Sequence, residues 1–230
     1  MKKRKKIVYI INHISFFVSH RLDLAKHARN NSYEIFLIAG KESSKKMKSF
    51  SQKKIKQNKI KYFRANFSSS SLNLFREIIG FWQVYNYCKN LSPDIIHTAS
   101  PKANLIGGMV GKLLNVPSMV ISISGQGYLY TKKNLLNLIL TNVYDIILKF
   151  IFSHKNKKII VQNSEDYNKF LKIDKLKNCV IIPGSGVDTK KFKNINSKNL
   201  KQNILYVGRI LKDKGIYEYV EAAKIIKKKF

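Results

Sequence analysis

Polar, basic and glycine residues gather at a few points of this chain, each just after a short apolar run. "NHISFFVSHR" holds His13, Ser15, Phe16, Phe17, Ser19, His20 and Arg21, and "HTASPK" holds His97, Thr98, Ser100 and Lys102. "SGQG" supplies Ser124, Gly125, Gln126 and Gly127, "NSE" supplies Asn163, Ser164 and Glu165, and "PGSG" supplies Gly184, Ser185 and Gly186. A histidine such as His97 can orient or deprotonate a hydroxyl, although a histidine at a strand end can equally be a purely structural residue. Glycines let a backbone approach a ligand closely and adopt positive φ. Near the C-terminus Arg209 follows an apolar run, and Lys214 and Gly215 precede a helical pattern. Two cations beside a helix N-terminus make a diphosphate clamp, because the backbone N–H groups and helix dipole add to their field. A solvated basic turn is the alternative reading.

Such residues need a scaffold that brings them to one place. Short apolar runs predict strands at 6–11, 34–39, 60–64, 94–98, 118–122, 158–162 and 180–182, with helical spacing between most of them. "HRLDLAKHARN" places Leu22, Ala25 and Ala28 on one face. "SLNLFREIIGFWQVYNYCKNL" has Ser71 as its N-cap and Leu74, Ile78, Phe81, Trp82 and Tyr85 as its apolar stripe. "ANLIGGMVGKLLN" is a glycine-rich helix suited to close packing on a sheet. Alternating strand and helix predicts an α/β fold, a Rossmann-like doubly wound parallel sheet. In such sheets the loops at the strand C-termini bind ligands, and the clusters above all fall there. The domain spans residues 1–188, ends in a boundary at Pro183 to Asp188, and is followed by a linker at 189–202, "TKKFKNINSKNLKQ". In 203–230, "NILYVGRI" reads as a buried strand and "KGIYEYVEAAKIIKKKF" as a helix with Ile216, Val220, Ala223 and Ile226 inward. One strand and one helix cannot bury a core, so this is the first βα unit of a second Rossmann-like domain.

Composition narrows the function. Of 230 residues, 44% are hydrophobic, enough for a packed core. The net charge of +31, from 44 Lys+Arg against 13 Asp+Glu, favours an anionic partner: a phosphorylated substrate, an anionic membrane surface or a nucleic acid. Lysine is spread along the whole chain, which also fits a general bias. Nucleic acid is disfavoured, because no basic recognition helix and no aromatic–basic alternation is present. Cys88 and Cys179 fit neither a disulfide framework nor a zinc site and suit a reducing cytoplasm. The basic start mimics a signal peptide, but Asn12, His13 and Ser15 interrupt its apolar run. The longest apolar stretch, 134–152, carries too many Asn, Asp and Lys residues for a free membrane span. A buried or interfacial helix is expected there. GxGxxG fails at Tyr130, and a P-loop fails at Ile106 and Leu113. No metal-ligand cluster and no GxSxG elbow is present, and His27 and His154 read as solvated.

The ordered motifs "FFVSHRLDLA", "HTASPKANLIGG", "SGQGYLYT", "VIIPGSGVDTKKF" and "ILYVGRILKDKGIYEYVEAAKII" resemble the GT-B fold retaining glycosyltransferases of family 4, in particular the bacterial group that adds N-acetylated sugars to lipid-linked glycans. The resemblance implies an N-terminal domain that holds the acceptor and a C-terminal domain that holds a nucleotide-sugar, usually a UDP-sugar. It implies that Arg209 and Lys214 contact the donor diphosphate and that the segment with Gly184, Gly186 and Asp188 enters the interdomain cleft. It places Phe16, His20, Arg21, Lys102, Gly125 and Gly127 on acceptor-side loops, with Arg21 and Lys102 available to a lipid diphosphate, and His97 as the catalytic candidate. The leaving UDP would be stabilised by these cations, with no metal and no cofactor. The chain departs from many relatives at Phe16-Phe17, where they carry two glycines, and at Ala99, where they carry a second histidine. A full donor domain would need about 150 residues more, so the expected chain is an N-terminal portion, inactive alone and peripheral at the cytoplasmic face of the membrane. A catalytically silent acceptor- or membrane-binding remnant is the alternative.

Overall fold

The computed structural model describes residues 4–42, 44–68, 73–124, 135–173, 178–190, 192, 204–208, 210 and 212–229. They divide into two compact units, Met1–Gly186 and Val187–Phe230.

Unit one is a seven-stranded parallel sheet. Its strands are β1 (Lys6–Ile11), β2 (Glu34–Ala39), β3 (Lys61–Arg64), β4 (Ile95–Ala99), β5 (Ser118–Ile123), β6 (Lys157–Val161) and β7 (Cys179–Ile181), in the order β3-β2-β1-β4-β5-β6-β7. The core strands are continuous runs of β-branched and aliphatic residues, as sheets covered on both faces require. The helices between them are α1 (Ile14–His20), α2 (Leu22–Asn30), α3 (Lys45–Gln57), α4 (Leu74–Leu91), α5 (Pro101–Leu113), α6 (Leu135–Phe152) and α7 (Ser164–Ile173). On one face Tyr9 and Ile11 pack with Ile14, Phe17, Leu22, Ala25 and Ile55 of α1 to α3. On the other, Val8 and Ile10 pack with Val84 and Cys88 of α4 and with Ala103, Ile106 and Val110 of α5. A third cluster joins β5, β6 and β7 to α6 and α7. The chain runs from β1 outward to β3, then returns to β4 and runs outward the other way. The strand order therefore reverses between β1 and β4, which is where doubly wound sheets bind ligands.

Helix α5 lies very close to its neighbours. A Cβ on Gly107 would stand 2.6 Å from Thr98 Cγ2, and one on Gly108 would stand 2.7 Å from Ile151 Cγ2 of α6. Helix α4 departs from the sequence pattern. Its N-cap is Asn73, whose Oδ1 accepts from the Arg76 N–H at 3.1 Å; Ser71 lies outside the described residues. The buried face is Gly80, Val84 and Cys88. Of the expected stripe, Phe81 and Tyr85 are half-buried, whereas Leu74 is 78% and Ile78 and Trp82 are each 55% exposed. The reason is steric. Large apolar residues occupy most sides of α4, so periodicity does not select one. Gly80 does, because a Cβ there would meet Asn66 O at 2.9 Å. His154, expected in solvent, is buried with Nδ1 3.2 Å from Asn156 O.

The second unit contains a 3-10 turn at Lys212–Lys214 and α8 (Ile216–Lys229). The expected buried strand at 203–210 is absent among its described residues. Ile204, Leu205, Val207 and Ile210 are 70–85% exposed. A strand needs a hydrogen-bonded neighbour, and none is present for this one among the described residues. The Tyr206 hydroxyl instead donates to Lys214 O at 3.2 Å, and the Tyr219 hydroxyl donates to Ile204 O at 2.8 Å. Val220, Ala223 and Ile226 of α8, expected inward, are exposed for the same want of a sheet, and Ile216 is half-buried.

Candidate functional site

The end of β1 is tied to the start of α5. Asn12 is buried; its N–H donates to Ser100 Oγ at 3.3 Å, and its Oδ1 accepts from the Ala103 N–H at 3.0 Å. Ser100, the N-cap of α5, has φ 82° and ψ 147°, a region that non-glycine residues rarely enter and that recurs at ligand sites. Its hydroxyl also donates to the Ala99 carbonyl. These bonds hold the β1/β4 reversal rigid.

His97 lies on β4 beneath this edge, 6% exposed. Its Nε2 is 3.0 Å from Ser122 Oγ, and its ring is 5.0 Å from the Tyr9 ring. Burial, with a smaller contribution from the nearby Arg21 charge, pushes its pKa down to about 3. The ring is therefore neutral at pH 7. Such a weak base is better suited to hydrogen bonding than to holding a proton.

Arg21 joins α1 to α2 and is 9% exposed. Its Nη1 donates to His20 O at 3.0 Å and to Ser185 Oγ at 3.1 Å, and the guanidinium lies 5.8 Å from the Phe16 ring centroid. Its Nε has no hydrogen-bond partner, and no carboxylate among the described residues pairs with it. Burial lowers its pKa, opposed by Tyr9. A buried guanidinium without a counter-ion is costly, and an incoming anion relieves that cost. Phe16 stacks on His20 at 4.4 Å, with Ser19 Oγ 2.6 Å from His20 Nδ1. Burial, the largest cause, raises the Tyr9 pKa to about 12.

The "PGSG" segment bends back toward this centre. After β7, the Ile182 N–H donates to Val161 O at 2.8 Å, and three residues later Ser185 meets Arg21. Gly184 and Gly186, at φ 78° and 75°, have the left-handed backbone this path requires.

Phe16, His20, Arg21 and His97 thus converge, with Gly184 and Gly186 flanking Ser185. Lys102 is engaged elsewhere: its Nζ is 2.8 Å from Glu77 Oε1 of α4, so its charge is already countered. Gly125, Gly127 and Arg209 lie outside the described residues. Asp188 and Lys214 belong to the second unit. Asp188 Oδ1 there accepts from the Lys190 N–H at 3.0 Å, closing a turn. Among the described residues no group of three or more His, Cys, Asp or Glu is placed to hold a metal ion. Tyr9, Asn12 and Ser122 were not legible as site residues. They read as ordinary strand and strand-end positions; only their nearness to His13 and Ser124 in sequence hints at them.

A seven-stranded, doubly wound parallel sheet with its polar residues at the strand reversal is a Rossmann-like α/β domain. The chain matches the glycosyl transferase 4-like family over residues 6–163, and it belongs to that family. It is 27% identical to a Campylobacter jejuni N,N'-diacetylbacillosaminyl-diphospho-undecaprenol alpha-1,3-N-acetylgalactosaminyltransferase, across 95% of this chain and 60% of that protein. It is 30% identical to an Escherichia coli UDP-Gal:alpha-D-GlcNAc-diphosphoundecaprenol alpha-1,3-galactosyltransferase, across 68% of this chain and 42% of that one. The chain thus spans 60% and 42% of these relatives' length, less than two thirds of either. Among solved structures it resembles Anabaena Alr3699/HepE, determined with UDP and glucose (TM-score 0.54, 13% identity, 84% of this chain and 48% of that one). A Rickettsia africae glycosyltransferase is also similar (TM-score 0.53, 17% identity, 87% and 47%). These two likenesses concern the fold.

Proposed function

We propose that this chain is the acceptor-side portion of a glycosyltransferase that moves a sugar from a nucleoside-diphosphate donor, in the UDP class, onto a lipid-diphosphate-linked glycan. The observation that carries this reading is Arg21, a nearly buried cation near the strand reversal with no carboxylate partner among the described residues. A diphosphate supplies the missing counter-charge and accepts from the unpartnered Nε. Neutral His97, bound to Ser122, presents a hydrogen-bonding rather than a charged floor. The names of the two curated relatives, both acting on diphospho-undecaprenol sugars, support the acceptor class. Arg209 and Lys214 take the donor diphosphate in this reading and stabilise the departing charge without a metal.

The membrane enters through α6. Tyr144, Leu148, Ile151 and Phe152 face the core, while Ile139, Val143, Ile146 and Phe150 recur at helical spacing on the opposite, exposed side. No helix among the described residues is long and apolar enough to cross a membrane. An exposed apolar stripe on a chain of charge +31 suits peripheral attachment to an anionic cytoplasmic leaflet.

The test is titration of inorganic pyrophosphate into the 230-residue chain at low salt, followed by calorimetry and by amide shifts. Arg21→Gln is expected to weaken binding by roughly 10- to 100-fold, the range for a hydrogen bond to a charged group. Lys102→Ala, already paired, is expected to weaken it less. Unchanged affinity in Arg21→Gln overturns the reading. Vesicles with anionic lipid are expected to co-sediment the chain and neutral vesicles are not; equal binding to both, or to neither, refutes the membrane assignment.

A further inference from the structure

Helix α1 has at its C-terminal end a cation, Arg21, with no carboxylate partner among the described residues. At its N-terminal end it holds an acid with no lysine or arginine partner among them. Glu42, three residues past β2, accepts from the Ser15 hydroxyl at 2.5 Å and from the Ser15 N–H at 3.2 Å, both on Oε2. Its Oε1 has no hydrogen-bond partner among the described residues, and no lysine or arginine among them pairs with it. Asp23, Glu34, Glu77 and Glu221 each sit against a lysine. The loop bearing Glu42 is fixed from both sides: His13 Nδ1 is 3.1 Å from Lys41 O, and the Lys41 N–H donates to Phe67 O at 2.8 Å. Glu42 is half-buried, so its carboxylate is held in place yet reachable.

Ser15 lies in the first turn of α1 and Arg21 caps its C-terminal end, six residues later, an axial rise of about 9 Å at 1.5 Å per residue. Glu42 and Arg21 form no ion pair with each other. A ligand that bridges them needs an anionic group at one end and hydrogen-bond donors at the other. The Ser15 proton is committed to Glu42, so the Ser15 oxygen presents only lone pairs. Glu42 Oε1 and Ser15 Oγ are therefore two neighbouring acceptors, which match two adjacent hydroxyls of a sugar. We infer that Glu42, oriented by Ser15, reads vicinal hydroxyls of the acceptor sugar whose anomeric phosphate lies on Arg21. This rests on the anion site assigned to Arg21 under the proposed function, and it makes Glu42 a specificity-determining residue.

Binding is measured on the 230-residue chain with four probes of like charge: methyl phosphate and the 1-phosphates of N-acetylglucosamine, N-acetylgalactosamine and galactose. At least one sugar phosphate is expected to bind about tenfold tighter than methyl phosphate, one charged-acceptor hydrogen bond's worth. Glu42→Gln is expected to bring that ratio close to one without lowering methyl phosphate affinity, and Ser15→Ala to lower it in part. Glu42→Asp is expected to restore some of it. A ratio near one for every sugar in the unaltered chain, or a ratio unchanged in Glu42→Gln, overturns the inference while leaving the Arg21 site standing. An equal fall for all probes in Glu42→Gln also overturns it, since that reports damage to the anion site. Methyl phosphate binding indifferent to Arg21→Gln removes the underlying site, and the inference with it.

Discussion

Acid is expected to destabilise this fold through His97. The folded-state pKa, about 3, lies below the ordinary 6.5, because burial disfavours the charged ring and the Arg21 charge adds to the effect. The unfolded chain therefore takes up the proton first. His97 contributes full stability above about pH 6.5, and that contribution is lost as the pH falls toward 3. Each pH unit inside the window is worth about 1.36 kcal/mol. Between pH 7 and pH 4.5 the loss comes to about 2–3 kcal/mol, a large share of the 5–15 kcal/mol typical of a domain. His97→Gln keeps a partner for Ser122 and removes the titration. The assay is urea unfolding of both proteins at pH 7 and at pH 4.5. The stability difference between them is expected to shift by about 2–3 kcal/mol in favour of His97→Gln on acidification. His154 and every carboxylate are common to both proteins and cancel. Parallel pH dependences in the two proteins would refute the claim that His97 is buried and neutral.

Other outcomes follow from the packing. Gly107→Ala, whose Cβ would strike Thr98 and the branched Ile10, is expected to cost about 1–3 kcal/mol despite its better helix propensity. Gly111→Ala meets the flexible end of Met119 and is expected to cost less, read by the same unfolding assay. On α4, Trp82→Ser is expected to change stability by about 0.5 kcal/mol or less, whereas Val84→Ala is expected to cost about 1 kcal/mol or more; the reverse order would restore the face read from periodicity. With a panel of UDP-sugars and a lipid-diphosphate acceptor, the 230-residue chain alone is expected to release no UDP above background. Turnover that needs both substrates and is abolished by Arg209→Ala would contradict this.

The sheet was legible because parallel strands buried on both faces are written as unbroken apolar runs. "KIVYII", "EIFLIA" and "IIHTA" admit few other readings, and every strand of the first unit falls within a residue of its expected bounds. The face of α4 was not legible, because its aromatic and aliphatic residues surround the helix and a glycine made the choice. The run at 204–210 failed for the opposite reason: its composition is that of a strand, but pairing is a property of two segments. In the site, Arg21 and His97 were visible as types in the right loops. That Arg21 has no carboxylate partner among the described residues, and that burial and the Arg21 charge lower the His97 pKa, were not, because both depend on how the folded chain surrounds these groups. Glu42 gave no signal in sequence. A single acid in a lysine-rich loop has no spacing to mark it.

The position of β1 at the strand reversal also bears on how the protein is made. Ile7 pairs on one side with Ile35, 28 residues later, and on the other with Ile95, 88 residues later. The ribosome supplies those 88 residues in about 4–18 s at 5–20 residues per second. Until β4 emerges, the nascent β1 has an open edge of six residues, five of them apolar, able to template association with another chain. Lys2, Lys3, Arg4, Lys5 and Lys6 stand directly before that apolar run. Like charges flanking an apolar run disfavour edge-to-edge pairing, so these residues are expected to limit association during this interval. Neutralising them is expected to show first as aggregation of nascent chains, with little change in the stability of the finished sheet.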